Sequence, residues 1–94
     1  MDIAARERLT VLVTECNEVV QAGTKALRHG YHSHHPDSKL SNEDDLVEAM
    51  LDVLSFWEAI LAHGDISRAR AMQLASRSAL LERFEEKKKY MHHQ

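Results

Sequence analysis

Leu9-Thr-Val-Leu-Val-Thr-Glu-Cys-Asn-Glu-Val-Val20 is the stretch that decides the fold. Around it Leu9, Leu12, Cys16, Val19, Gly23 and Leu27 recur at steps of three and four, the spacing of one face of an α-helix. The helix is expected from about Ile3 to His29, and Gly30 suits the left-handed position just past its last turn. Tyr31 to Leu40 reads as a polar loop containing Pro36. Ser41-Asn-Glu-Asp44 then has the pattern of a capping box, in which the acid reaches back to the Ser41 amide. A second helix follows to about Ala62, with Leu46, Met50, Val53, Trp57, Ile60 and Leu61 on its apolar stripe. Gly64 ends it, and Asp65 is placed to cap a third helix with Ala71, Leu74, Leu81 and Phe84 along one side. Lys87, Lys88 and Lys89 near its end complement the helix dipole. The expected fold class is all-α: an antiparallel bundle of three main helices in one domain, residues 1–94.

Ninety-four residues bury a modest core, so part of the apolar surface is expected to close against further copies, as a homodimer or homotetramer. The formal charge of −3 and the lack of a continuous basic face argue against nucleic acid as a partner. A single cysteine, Cys16, forms no intramolecular disulfide and points to a reducing cytoplasm. It falls on the apolar stripe and reads as a small buried hydrophobe. The charged N-terminus does not resemble a signal peptide, and no apolar run approaches the ~20 residues needed to span a bilayer, so no membrane is expected.

Chemistry resides in two pairs of acids. Glu15 and Glu18 are three apart on helix one, and Glu48 and Asp52 are four apart on helix two, so each pair shares a face. Like charges at these spacings repel, and they stand at the border of apolar stripes, where a carboxylate is costly unless something positive compensates it. Four such oxygen donors on neighbouring helices suit a hard divalent cation, Mg²⁺ or Mn²⁺. The structural alternative leaves Glu15 and Glu48 as solvated edge residues, with Asp52, over Ala49 and beside Phe56, the hardest to place in water. Lys25 lies about 10 Å along the axis from Glu18, with Arg28 and His29 beyond. A triphosphate can thus meet metal at one end and cationic donors at the other. The same three residues equally complement a helix C-terminus.

His29, His32, His34 and His35 crowd one loop, but their spacing matches no structural zinc template. A mobile loop at the mouth of the site is preferred to a transition-metal centre. His92 and His93 in the tail carry little information.

Glu15-Cys-Asn-Glu18, Lys25-Ala-Leu-Arg-His-Gly30, Asn42 and Leu46-Val-Glu-Ala-Met-Leu-Asp-Val-Leu54 together resemble the MazG-type all-α nucleoside triphosphate pyrophosphohydrolases, above all the short, single-domain phage-type members. The resemblance covers roughly residues 9 to 60. Two positions depart from the family's E-E-x-x-E and E-x-x-D pattern: Thr14 stands where the first glutamate often lies, and Ala49 stands three residues before Asp52, where another is expected. Glu48, one residue earlier, shares the face and can substitute.

The resemblance implies Mg²⁺- or Mn²⁺-dependent cleavage of a nucleoside triphosphate between its α and β phosphates. It makes Glu15, Glu18, Glu48 and Asp52 the metal ligands and leaves Glu15 as the candidate base. Lys25, Arg28, His29 and Asn42 become the substrate contacts, although Asn42 equally suits a turn, and purine deoxynucleotides are favoured on family habit. Tyr31 and Trp57 are candidates to stack on the base, with Trp57 better read as core. The alternatives are a phosphoribosyl-ATP pyrophosphatase-like enzyme, a non-catalytic helical assembly protein and a His-loop metal binder. The expected location is the cytoplasm, that of the host if the protein is viral.

Overall fold

The computed structural model describes residues 1–34, 36–37 and 39–91. The expectations that fall on His35, His92 and His93 lie outside the described residues. The regular elements among the described residues are all helices: α1 (Ile3–His29), α2 (Asn42–Ala62), α3 (Arg68–Leu74), α4 (Arg77–Lys87) and a closing 3₁₀ turn, Lys88–Met91. No helix among the described residues is long and apolar enough to cross a membrane.

Local chemistry sets the boundaries of α1 and α2. Asp2 caps α1 by accepting from the Ala5 amide at 2.7 Å. Gly30, at φ 86°, closes it with its own N–H on the Ala26 carbonyl. At the start of α2 the capping box is complete: the Asp44 amide donates to Ser41 Oγ at 3.1 Å and the Ser41 amide donates to the Asp44 carboxylate at 3.0 Å. The connecting loop is pinned by the Asn42 amide on the Ser33 carbonyl and the Glu43 amide on the Tyr31 carbonyl, both at 2.8 Å. These bonds turn α2 back along α1 as an antiparallel hairpin, the one extensive helix–helix contact among the described residues.

The hairpin seam is lined by small residues. Ala5, Ala22, Ala49, Ile60 and Leu61 are the buried apolar side chains, and Ala22 and Ala49 let the backbones approach closely at the middle. This corrects the expected α1 stripe. Leu12, Val19 and Gly23 are half-buried, but Cys16 is exposed, Leu9 is 40% exposed and Leu27 is 90% exposed. One facing helix covers only a narrow strip of α1, whereas the apolar arc of the sequence is wider than that strip. Met50 on α2 is left outside the seam for the same reason.

The third helix is also corrected, because it is two. α3 ends at Ala75, and Ser76 starts α4 by accepting from the Ala79 amide at 3.2 Å. Asp65 is not the cap; Ser67 is, through the Arg70 amide. Asp65 instead accepts two bonds from the Arg8 guanidinium, from Nε at 2.6 Å and Nη2 at 2.7 Å, and ties the chain after α2 to the start of α1. The hydrogen bond from Arg8 holds the Asp65 carboxyl below the usual carboxylate range. Beyond this tie α3 and α4 barely touch the hairpin, and Leu74, Leu80, Leu81 and Phe84 stay exposed. The fold is therefore an all-α hairpin with a two-helix arm, rather than a closed three-helix bundle.

Candidate functional site

Helical steps of three and four carry Glu18, Gln21 or Ala22, Lys25 and Arg28 along one edge of α1. The same steps carry Asp45, Glu48 or Ala49, and Asp52 along the edge of α2. The antiparallel hairpin sets these edges side by side. Between them runs a groove of about 630 Å³, lined by Glu18, Lys25, Arg28, Asp45, Glu48 and Asp52 over a floor that includes Ala22 and Ala49. Residues some 30 positions apart in the chain thus meet on one surface. Three of the four predicted acids are in this groove. The fourth, Glu15, is half-buried one turn before Glu18 and is not among the lining residues.

A second cavity of about 440 Å³ adjoins the groove, sharing Lys25 and Asp45 with it. Its remaining walls are His29, Ser33, His34, Pro36 and Asn42. At the junction Lys25 Nζ stands 3.3 Å from Asp45 Oδ2, an exposed ion pair of small intrinsic stability. Asp45 was missed by sequence reasoning, although it sits three residues before Glu48 and seven before Asp52 on the same stripe. Asn42 is buried, and its side-chain N–H₂ donates to the Gly30 carbonyl at 3.0 Å, so it clamps the loop while forming part of the cavity wall. His32 Nδ1 lies 3.5 Å from a Glu43 oxygen on the exposed rim. Neither aromatic candidate faces the acids: Tyr31 lines a shallow pocket with Gly23, Leu27 and Leu46. Trp57 lines a separate cavity with Leu12 and Ile60 and is half-buried, at the edge of the core rather than within it.

The donor set fits a hard divalent cation in kind, since Glu18, Glu48 and Asp52 offer carboxylate oxygens along one groove. Among the described residues, however, no three His, Cys, Asp or Glu side chains are grouped closely enough to hold a metal ion. Like-charged carboxylates stay apart until a cation offsets their repulsion. Compared with known proteins, the chain matches no family model, no curated protein and no solved structure.

Proposed function

We propose that the protein is a metal-dependent nucleoside triphosphate pyrophosphohydrolase of MazG-like character, taking a purine deoxynucleoside triphosphate to the monophosphate and pyrophosphate. The observation that carries this reading is a single groove in which Glu18, Glu48 and Asp52 lead to Lys25, paired there with Asp45, and to Arg28. Acids alone would suit a cation, and cations alone would suit a phosphate. Their succession along one groove suits a metal-bound polyphosphate.

Glu18, Glu48 and Asp52 are the residues that would hold Mg²⁺ or Mn²⁺, with Glu15 adjacent. Such an ion supplies Lewis-acid polarisation of phosphate oxygens. Lys25 and Arg28 bind the phosphate chain, and Lys25 reaches it by exchanging Asp45 for a phosphate oxygen. The adjoining cavity continues the groove past Lys25 and offers His29 and Asn42 as further substrate contacts. Water attacks the α-phosphorus, the bond to the bridging oxygen breaks, pyrophosphate leaves, and a carboxylate takes the water's proton. Glu15 is the candidate for that base. In this reading a second copy, or a pair of dimers, covers the apolar surface that one chain leaves bare.

The test is a panel of NTPs and dNTPs assayed for pyrophosphate release with Mg²⁺ or Mn²⁺, with Asp52→Asn and Glu18→Gln as controls. Loss of at least ~100-fold in kcat/KM is expected for either variant with far-UV circular dichroism unchanged. Full turnover in Asp52→Asn, or no pyrophosphate from any nucleotide, overturns the proposal.

A further inference from the structure

Among the described residues, Lys25 and Asp45 are the two that line both the groove and the adjoining cavity. The first turn of α2 carries three acids, Glu43, Asp44 and Asp45, and their surroundings give each a different task. Asp44 is spent on the capping box, and Glu43 stands on the rim with His32. Asp45 is the one of the three that lines the groove. It begins a row continued by Glu48 and Asp52, three and seven residues further along the same edge of α2. Within the ion pair the Asp45 side chain is the better held, 30% exposed against 55% for Lys25, so Lys25 is the partner free to move. Arg28, the other cation of the groove, has no ion-pair partner among the described residues.

This placement sets Asp45 against a bare phosphate chain. Lys25 Nζ stands 3.3 Å from Asp45 Oδ2. A phosphate oxygen that accepts a charge-assisted hydrogen bond of about 2.8 Å from Lys25 lies within about 6 Å of that carboxylate oxygen while the pair holds. Even at the dielectric constant of water, each unit of negative charge at that distance weakens binding about threefold. If Lys25 instead leaves Asp45 for the phosphate, the ion pair is lost, which at an exposed position weakens binding about 1.5- to 5-fold. By either route a metal-free chain meets a penalty at the junction of groove and cavity. A phosphate chain that arrives with a divalent cation brings positive charge that offsets the same carboxylate.

We infer that Asp45 is a positioning residue that makes this groove select a cation-bearing phosphate chain over a bare one. It holds Lys25 at the junction and yields it at little cost only when positive charge accompanies the phosphate. Asp45 acts through Lys25 and through its own charge, and takes no part in bond breaking. The inference rests on the reading of the groove as a nucleoside triphosphate site.

The test measures binding rather than turnover, by titration calorimetry with α,β-methylene dATP, whose bridging carbon resists cleavage, once in EDTA and once in Mg²⁺. The parent is expected to bind the Mg²⁺ complex more tightly than the metal-free nucleotide. Asp45→Asn, which keeps the shape and removes the charge, is expected to bind the metal-free nucleotide ~2–5-fold more tightly than the parent does. It should bind the Mg²⁺ complex no more tightly than the parent, so the ratio of the two affinities falls at least ~2-fold. Asp45→Glu restores the charge and is expected to keep the parent's ratio, whereas Lys25→Gln should weaken both forms. A merely structural role for Asp45 would shift both affinities together and leave the ratio where it was. A parent that binds both forms equally, Asp45→Asn with the parent's ratio, or Asp45→Glu behaving like Asp45→Asn overturns the inference and leaves the nucleotide reading in place. So does Lys25→Gln without effect on the metal-free form. No binding to the parent in either buffer overturns the nucleotide reading, and this inference with it.

Discussion

Ala49→Glu is the substitution that most sharply separates hairpin packing from cation binding. Ala49 is 8% exposed and Ala22 6%, and both form the groove floor at the middle of the seam. A larger side chain must push the helices apart, at a cost of about 1–3 kcal/mol. A glutamate adds the desolvation of an unpaired carboxylate, with Glu18, Glu48 and Asp52 lining the same groove, for about 1–3 kcal/mol more. The total of about 2–4 kcal/mol, with the open groove moderating the upper end, lowers the thermal midpoint by roughly 8–32 °C for a domain of this length. Ala49→Leu, similar in bulk and uncharged, isolates the steric share.

The assay is thermal unfolding by circular dichroism, with and without Mg²⁺. Without metal, Ala49→Glu should melt well below Ala49→Leu, and both below the parent. With Mg²⁺ the glutamate variant should recover more than the leucine variant, because a cation that binds only the native groove stabilises it. A fall of under ~3 °C for both variants would refute the packing argument. Equal Mg²⁺ responses would refute the claim that this groove gathers a cation.

Two further outcomes follow from particular contacts. Asp65 is held below the usual carboxylate range by Arg8, so its contribution to stability is fully present above that range and is lost as pH falls through its folded value. Asp65→Asn should therefore be less stable than the parent at pH 7, with the gap in urea midpoint closing below pH ~4; a gap constant down to pH ~2.5 would exclude the pair as the cause. Ser41→Ala removes one half of the capping box and should cost about 1 kcal/mol in urea unfolding, while Ser33→Ala, whose side chain caps no helix, should cost less than ~0.5 kcal/mol.

The helix ends from Ile3 to Ala62 were legible because each is set by a residue acting within a few positions of itself. Gly30 and the Ser41–Asp44 pair needed no tertiary context. The break at Ala75 is local as well, since Ser76 caps α4. It was hidden because the apolar period runs on from Leu74 to Leu81 and outweighs a serine, a residue also found within helices. The buried face of α1 was harder. Leu9, Leu12, Cys16, Val19, Gly23 and Leu27 form a wide arc, and periodicity cannot tell which part of such an arc meets the neighbouring helix. In the hairpin the seam takes the side of Leu12, Val19 and Ala22, and leaves Leu9, Cys16 and Leu27 outside.

Sequence by itself determined that this chain is helical, where its two long helices begin and end, and that acids and cations recur along one edge of the first and acids along one edge of the second. Those are properties of neighbours three or four residues apart, and the backbone enforces them locally. Tertiary structure alone decided that Asp45 joins Glu18, Glu48 and Asp52 in one groove while Glu15 stays outside its lining. It also decided that Asp65 serves as an anchor for Arg8 instead of a cap, and that the arm stands clear of the hairpin. Those outcomes depend on the rotation of α1 against α2, which is set by how closely Ala22 and Ala49 allow the two backbones to approach, and no spacing within a single helix encodes it.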